Sequence, residues 1–247
     1  MHEAEHLRRP RVFPTVQQDA ALDWWPEQRG GMAAFRALLP DLTDKCVLVL
    51  GCGFGWHCRY ARQQKARSVL GVDVSEEMLT QAKALTHDSG IQYRRSAIED
   101  FEFHDSVFDV VISSLALHYV GRCDVVCHNV HQALVVGGTF VLSVEHPIFT
   151  SRAEQEWFLS ADGERLHWPI DGYHEEGIRH THWMADDVIK YHRTVATYGN
   201  TLIDSDFRIS RLLEPGVSAE RVIQRRELKD ERRRLIFIVI AAQKDPG

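Results

Sequence analysis

The chain has few of the features that mark disulfide-bonded, metal-ribbon, membrane-spanning or secreted proteins. Its five cysteines are odd in number and form no CxxC pair, which argues against a disulfide scaffold and a zinc ribbon. No apolar run approaches the roughly 18 residues that a membrane helix needs. The first residues, MHEAEHLRRPRVF, contain no apolar segment of the kind found in secretory signals. We therefore expect a protein of the cytoplasm with no membrane partner.

Basic residues are also fewer than acidic ones. The chain has 29 Lys and Arg against 35 Asp and Glu, a net charge of −6. This balance disfavours a nucleic acid as the main partner, since phosphate contacts require clustered basic side chains. The 44 % of hydrophobic residues is ordinary for a globular protein. A chain of 247 residues is long enough for one α/β domain with an insertion.

Apolar runs alternate with helix-compatible segments along the middle of the chain. The runs typical of buried strands are Cys46–Leu50, Val69–Val72, Val107–Ser113, Thr139–Val144 and Leu235–Ala242, with a further strand predicted at Phe207–Leu213. The segments that favour helices are Met32–Leu39, Gly55–Gln64, Ser75–His87 and Cys123–Leu134. Nearly continuous apolar strands separated by helices predict a parallel sheet that is buried on both faces. Ser75 is followed by two acids and then Met78, which predicts a helix N-cap at Ser75.

Residues 147–200 break this alternation. The span is rich in rings: Trp157, His167, Trp168, Tyr173, His174, His180, His182, Trp183, Tyr191 and His192. We interpret it as an insertion that folds over the carboxyl edge of the sheet, where open α/β sheets bind ligands. In that position it would act as a substrate lid. The alternative is a small aromatic subdomain whose rings only pack against each other.

A glycine-rich turn follows the first predicted strand. The strand at Val47 runs into Gly51, Gly53 and Gly55, and a helix follows. Glycines there permit a tight turn and let backbone N–H groups approach a ligand closely. The next strand ends at Asp73, at a spacing that suits hydrogen bonds to ribose hydroxyls. The dinucleotide fingerprint is incomplete, because Trp56 stands where its last glycine belongs, and no GK[ST] follows to make a P-loop.

Together these segments resemble a known family. LGCGFG at Leu50–Gly55, GVDVSEEML at Gly71–Leu79 and SAIEDFEF at Ser96–Phe103 are similar to motifs of the class I S-adenosylmethionine-dependent methyltransferases, in particular the methyltransferase type 11 group. FDVVISSLALHYV at Phe108–Val120 and LVVGGTFVLSVEHP at Leu134–Pro147 extend the resemblance. The later WPIDGY and KYHRTVATY stretches are similar to bacterial members that act on small molecules. The motifs are specific for fold and cofactor and do not identify the acceptor.

The resemblance implies a cofactor site with S-adenosylmethionine as methyl donor and S-adenosylhomocysteine as product. Gly51, Cys52 and Gly53, with Gly55 completing the turn, would line its methionine part. Asp73 would take the ribose hydroxyls. The residues implied at the adenine are Val74, Met78, Ala97 and Ile98, and those implied near the transferable methyl group are Ser114 and Leu115.

Two positions depart from the family pattern. Many members carry an acid two residues before the first glycine, where this chain has Val49, and a second acid where it has Ala97. These departures motivate an alternative from another functional class. In that alternative the chain is a cofactor-binding regulatory or scaffold subunit without catalysis.

Three side chains near the predicted carboxyl edge are candidate bases. Glu145 and His146 follow the fourth predicted strand of the alternating region, and His118 lies in the loop before it. A base helps when the acceptor is an O–H or N–H group that must lose its proton, and histidine titrates near neutral pH. A structural role for His118, and an orienting role for Glu145 and His146, are the alternatives.

A histidine cluster and a basic segment are two further candidates for functional sites. His180 and His182, with His167 or His174, have a spacing that permits a metal site, but they lack the compact pattern of a convincing one, so we expect no metal. The segment 220–234 carries seven basic and four acidic side chains. We expect a solvated connector rather than a nucleic-acid surface.

The sequence therefore predicts one α/β domain with a Rossmann-like, doubly wound, mostly parallel seven-stranded sheet and an aromatic lid. Its expected parts are an N-terminal helical cap at 1–44, a cofactor-binding core at 45–146, the lid at 147–200 and C-terminal strands at 201–247. The expected reaction is methyl transfer to an O or N atom of a small-molecule acceptor. A methyltransferase acting on tRNA or another macromolecule is the alternative enzyme. The sequence leaves open whether the chain is a monomer or a homodimer.

Overall fold

The computed structural model describes residues 31–181 and 187–245. His182 and Trp183 of the ring-rich span, and most of the predicted N-terminal cap at 1–44, lie outside the described residues. The helices are α1 (Gly31–Ala37), α2 (Trp56–Gln63), α3 (Glu76–Ala84), α4 (Cys123–Ala133), α5 (Pro147–Thr150), α6 (Val195–Asp204) and α7 (Ala219–Gln224). The strands are β1 (Cys46–Leu50), β2 (Ser68–Asp73), β3 (Ile91–Arg95), β4 (Phe108–Ser114), β5 (Leu134–Glu145), β6 (Phe158–Leu159), β7 (Arg165–His167), β8 (Gly177–Thr181), β9 (Val188–His192), β10 (Phe207–Leu213) and β11 (Phe237–Lys244). Short 3₁₀ turns lie at Leu117–Tyr119, Arg226–Leu228 and Asp230–Arg233.

Seven of the strands form one sheet in the order β10-β11-β5-β4-β1-β2-β3. The four pairs β3–β2, β2–β1, β1–β4 and β4–β5 are parallel. Strand β11 runs antiparallel to both β5 and β10. The predicted Rossmann-like, mostly parallel seven-stranded sheet is therefore confirmed.

Both faces of the sheet are covered by helices, which explains the continuous apolar strands. On one face the core includes Val126 of α4 and Leu202 of α6. On the other it includes Phe35 of α1, Ala61 of α2 and Leu79 of α3. A parallel sheet buried on both sides leaves its strand ends as the accessible edges, and the carboxyl ends form the usual ligand edge.

Most predicted elements form, and the differences have local causes. Ser75 caps α3 by accepting the N–H of Met78 at 3.2 Å, as predicted. Strand β3 lacks an apolar run because it is an edge strand with largely exposed side chains. Strand β5 begins at Leu134 rather than at Thr139. Gly137, with φ 77°, lies inside it where the pairing with β4 shifts register.

The insertion consists of α5 and two short antiparallel hairpins, β6–β7 and β8–β9. We predicted that the insertion ends at residue 200. This position lies inside α6, so the boundary has to be moved. Tyr198 and Leu202 of that helix lie in the same buried cluster as the residues of α4. Helix α6 is therefore part of the core layer, and the insertion ends at Thr194, the N-cap of α6.

Candidate active site

The loops after β1 and β2 meet at the carboxyl edge of the sheet. The N–H groups of Gly51 and Cys52 both donate to the carbonyl oxygen of Val72, at 2.8 and 2.9 Å. Gly51, Gly53 and Gly55 all have positive φ, of 68°, 50° and 75°. The turn needs left-handed backbone at three alternate positions, which glycine adopts without strain.

Two of these glycines differ in the space around them. A Cβ on Gly51 would lie 2.3 Å from Cβ of Ala116, so the loops after β1 and β4 are in direct contact there. At Gly53 the nearest atom to an added Cβ would be Sδ of Met78, at 3.8 Å. The first glycine thus permits close packing of two loops, and the second leaves open backbone beside a predicted adenine neighbour.

Asp73 holds the glycine turn in place. Its Oδ2 accepts the N–H of Gly53 at 2.8 Å and its Oδ1 accepts the N–H of Ser75 at 2.9 Å. Burial raises the pKa of this carboxyl, and the backbone donors at Ser75 and Gly53 oppose that effect. Each carboxylate oxygen has two lone pairs. Asp73 can therefore accept a hydroxyl from a ligand while it keeps its backbone partners.

The remaining predicted cofactor residues surround the same edge. Ile98 is buried and its Cδ1 lies 3.7 Å from the Cβ position of Gly51. Val74 and Ala97 are half-buried at the ends of β2 and β3. The hydroxyl groups of Ser114 and Ser143 are 3.2 Å apart, at the ends of β4 and β5.

Leu115 has an unusual backbone for a branched residue. Its φ is 54°, and its N–H donates to the carbonyl oxygen of Ser143 at 2.8 Å. Strained backbone of this kind costs about 1–3 kcal/mol and clusters at functional sites. It turns the chain sharply at the end of β4, where the resemblance places the methyl group.

These observations fit the bound group that the sequence implies. S-adenosylmethionine needs a backbone cradle, an acceptor for ribose hydroxyls and apolar surface for adenine. The glycine turn, Asp73 and Ile98 supply these at one edge. Val49, which replaces an acid of the family pattern, is only 1 % exposed within β1. It therefore offers the site no polar side chain, and the carboxylate of Asp73 is the acidic acceptor at this turn.

Of the three predicted bases, His118 and His146 each already accept a backbone N–H at Nδ1. Burial lowers the pKa of His118 to about 4, so its ring is neutral near pH 7. Its Nδ1 accepts the N–H of Glu145 at 3.4 Å, which places its proton on Nε2. Burial also lowers the pKa of His146. Its Nδ1 caps α5 through the N–H of Ile148 at 3.0 Å, and its Nε2 donates to Glu214 at 2.9 Å.

A base needs a nitrogen that can take up a proton, and neither ring offers one in this arrangement. His146 thus acts here as the N-cap of α5, and His118 braces the end of β5. This geometry argues against the expectation that either histidine removes a proton from the acceptor. Both side chains lie at the predicted edge and orient the loops around it.

Glu145 belongs to a buried polar triangle that the sequence analysis missed. Its Oε1 accepts from Nζ of Lys190 at 2.6 Å, and its Oε2 accepts from the amide of Gln155 at 3.1 Å. Lys190 is fully buried and also contacts the amide oxygen of Gln155 at 3.3 Å. Burial raises the pKa of Glu145, but the charge of Lys190 and the hydrogen bonds from Lys190 and Gln155 bring this pKa below its usual value. Glu145 is therefore a carboxylate near neutral pH.

The rings of the insertion form a second cluster. Phe149 and Trp168 stack with centroids 5.2 Å apart, and Trp157 meets Trp168 edge-on at 5.4 Å. Phe149 forms a buried cluster with Ile236 and Phe237, and both Trp168 and Leu115 pack against that cluster. The insertion and the residue that turns the chain at the end of β4 therefore meet at one small apolar cluster.

The segment 220–234 is only in part the solvated connector that we expected. It forms α7 and two 3₁₀ turns, and two of its arginines face the insertion. Arg233 donates to the carbonyl oxygens of Arg165 and Leu166. The side chain of Arg234 is 8 % exposed, pairs with Glu231 at 3.0 Å and lies over the ring of Trp168 at 4.2 Å. The expectation is wrong for this end of the segment because its cations pack on aromatic faces.

The histidine cluster gives no metal site within the residues described. Residues 31–181 and 187–245 contain no group of three His, Cys, Asp or Glu side chains that could hold a metal ion. His180 pairs with Asp187, and the ring of His167 stacks on Phe158. His174 meets the ring of Tyr173 edge-on, and His182, another ligand of the hypothesis, lies outside the described residues. No helix in those same ranges is long and apolar enough to cross a membrane.

Comparison with known proteins finds similarity along nearly the whole chain. The family model for a methyltransferase domain matches residues 48–142. The crystal structure of an S-adenosylmethionine-dependent methyltransferase from Mesorhizobium loti is 44 % identical, with a TM-score of 0.80, over 85 % of this chain and 96 % of that one. A second solved structure, from Listeria monocytogenes, is 43 % identical, with a TM-score of 0.81, over 87 % of this chain and 97 % of that one. An uncharacterised protein of Haemophilus influenzae is 34 % identical over 215 residues, or 84 % of each chain.

Proposed function

The chain belongs to the class I S-adenosylmethionine-dependent methyltransferases, and we propose that it transfers the methyl group to an O or N atom of a small-molecule acceptor. The observation that supports this choice is the packing of the insertion on the carboxyl edge. Trp168 of the insertion and Leu115, at the end of β4, both pack against the buried cluster of Phe149, Ile236 and Phe237. Strand β9 packs on the 3₁₀ turn Leu117–Tyr119, which comes directly after β4 in the chain. A site enclosed in this way favours an acceptor that fits beneath the insertion.

Methyl transfer depends mainly on how the protein holds the two reactants. Bound S-adenosylmethionine supplies a methyl group activated by its sulfonium sulfur. The glycine turn and Asp73 would hold that cofactor, with Leu115 beside the methyl group. The rings of the insertion would orient the acceptor on the opposite side and exclude water. Positioning of this kind can supply much of the rate acceleration.

Glu145 is the candidate base that we retain. It is charged near pH 7 and each of its oxygens keeps a lone pair beyond its bonds to Lys190 and Gln155. Because its pKa lies below the usual value, it is a weak base. We therefore propose that removal of a proton contributes less than orientation of the acceptor.

A macromolecular acceptor would need an exposed basic surface beside the site. Arg233 and Arg234, the last arginines of the basic segment, instead point into the insertion and pair with backbone carbonyls or with Glu231. Their charge is therefore committed within the chain. This arrangement favours a small molecule over tRNA.

The test is transfer of labelled methyl from S-adenosylmethionine to separated bacterial fractions: small molecules, tRNA and protein. We expect the label in the small-molecule fraction. Gly51→Val is the control, since its added side chain meets Ala116 and blocks the turn. Label in tRNA or protein alone would contradict the proposal. Cofactor binding without transfer to any fraction would favour the regulatory or scaffold alternative.

A further inference from the structure

Three aromatic side chains of the insertion surround a positive charge. We name Phe149, Trp157 and Trp168 the aromatic cage. The guanidinium carbon of Arg234 lies 4.2 Å from the ring centroid of Trp168, 5.1 Å from that of Phe149 and 5.2 Å from that of Trp157. All three distances are within the roughly 6 Å at which a cation is attracted to a ring face.

The cage also has its own counter-ion. Both oxygens of Glu231 accept from Arg234 at 3.0 Å, and the two side chains are only 7 % and 8 % exposed. The neighbouring Asp230 pairs with Arg165 and Arg233, at 3.3 and 3.0 Å. Glu231 can therefore act as the counter-ion of whichever cation occupies the cage. Rings on several sides and one buried carboxylate are the features that recognise guanidinium and alkylammonium groups.

The cage lies on the acceptor side of the proposed site. Leu115, which is implied to border the methyl group, packs against the same buried cluster as Trp168, formed by Phe149, Ile236 and Phe237. The indole N–H of Trp157 is buried and has no hydrogen-bond partner among residues 31–181 and 187–245. Buried donors without a partner are uncommon in proteins and call for an explanation. An oxygen atom of a ligand would satisfy this one.

The segment that carries Arg234 is held by few buried groups. Helix α7 has no buried residue, and the two 3₁₀ turns bury only Leu228 and Glu231. The ion pairs of Asp230 are largely exposed on their arginine side, and such pairs contribute little to stability. Segments with few buried contacts open at low free-energy cost. Arg234 can therefore leave the cage without unfolding of the sheet.

We propose that the aromatic cage is a binding site for a guanidinium or alkylammonium group of the acceptor, and that Arg234 fills it when the acceptor is absent. This rests on the proposed function and narrows the acceptor to a small molecule with a cationic nitrogen besides the atom that is methylated. A tethered arginine competes at a high effective concentration. Wild-type protein therefore binds simple cations weakly, and removal of the arginine side chain exposes the site.

The first test is calorimetric titration of Arg234→Ala with tetramethylammonium and with guanidinium. We expect saturable binding at least about tenfold tighter than to wild type, since the variant loses the internal cation that competes for the rings and for Glu231. Arg234→Lys keeps a cation in the cage and is expected to resemble wild type. Arg225→Ala removes an exposed arginine of the same segment, paired with Glu227, and is expected to change nothing.

Two further measurements decide the inference if Arg234→Ala does not fold. Indole N–H resonances of wild-type protein are followed during titration with agmatine, where saturable shifts that Trp168→Leu abolishes are expected. The labelled-methyl assay is then run on matched cationic and neutral amines. No binding by a folded Arg234→Ala protein, or no saturable shift in wild type, overturns the inference. Turnover of neutral acceptors alone also overturns it and leaves the proposed function standing.

Discussion

Single hydrogen bonds decide what the histidines at the carboxyl edge can do. The sequence places His118 and His146 at that edge correctly, because both follow strands whose ends the apolar pattern marks. Their roles depend on partners that are distant in the chain. Glu214 lies 68 positions from His146, and the N–H that reaches His118 belongs to Glu145, 27 positions away. No spacing rule could have supplied these contacts.

The glycine turn shows the opposite case. Its conformation follows from residues close together in the sequence, since positive φ at Gly51, Gly53 and Gly55 is what alternate glycines favour. Asp73, at the end of the next strand, was expected to take ribose hydroxyls, and this stays a prediction. The structure adds that its carboxylate accepts the N–H groups of Gly53 and Ser75.

Two buried histidines predict how stability depends on pH. Burial lowers the pKa of His57 and of His118 to about 4. Between pH 6.5 and 4 the unfolded chain binds these protons and the folded chain does not. The free energy of unfolding must therefore fall as the pH falls, by about 1.4 kcal/mol per pH unit for each histidine.

Urea unfolding at a series of pH values measures this slope. Replacement of His57 by Phe, beside the ring of Phe35, is expected to remove the part of the slope that His57 contributes. His87→Gln is the control, because His87 is exposed and its replacement should leave the slope intact. A His57→Phe protein with the wild-type slope would show that His57 is not a buried neutral group.

Strand β9 is the element on which the insertion is anchored. Val188, Lys190 and His192 alternate along it and all three are buried. The sequence does not show this alternation, because the apolar residues Ile189 and Tyr191 lie on the other face and a pattern with apolar residues inside would have left Lys190 exposed. The partner could not be predicted, because Glu145 lies 45 positions earlier and the insertion's path over the sheet is a tertiary feature.

The ion pair between Glu145 and Lys190 predicts a large effect from one substitution. Lys190→Met would leave a buried carboxylate without its cation, and the free energy of unfolding should fall by about 3–5 kcal/mol. The double variant Lys190→Met with Glu145→Leu should recover most of that loss, since apolar replacements of buried pairs are often neutral.

Denaturant unfolding compares these variants with a matched control. Lys45→Met removes an ion pair with Asp109 in which the lysine side chain is 44 % exposed, so it should cost about 1 kcal/mol or less. Equal losses for Lys190→Met and Lys45→Met would mean that the pair does not anchor the insertion.

The whole molecule combines a sheet that the sequence predicted with an insertion whose contacts it did not predict. Alternation of apolar strands and helices predicts the buried faces of the core, because β1, β2, β4 and β5 alternate with helices that pack on the sheet, whereas the edge strand β3 is largely exposed. The packing of the insertion depends on contacts between segments that are distant in the sequence, such as that of Arg234 with Trp168, 66 residues apart. These contacts arise from charge and ring geometry, and neither has a sequence period.

The most direct test of the cofactor site is calorimetric titration with S-adenosylmethionine and, separately, with S-adenosylhomocysteine. Wild-type protein should bind both, and Asp73→Ala should bind them about tenfold or more weakly, since hydrogen bonds to a charged group contribute about 1.5–3 kcal/mol. Asp88→Ala is the matched control: Asp88 also accepts a backbone N–H, that of Gly90, but precedes β3 at the amino edge of the sheet. Its affinity should equal that of wild type. Undiminished affinity in a folded Asp73→Ala protein, or no binding by wild type, would contradict the assignment of the cofactor to the glycine turn and Asp73.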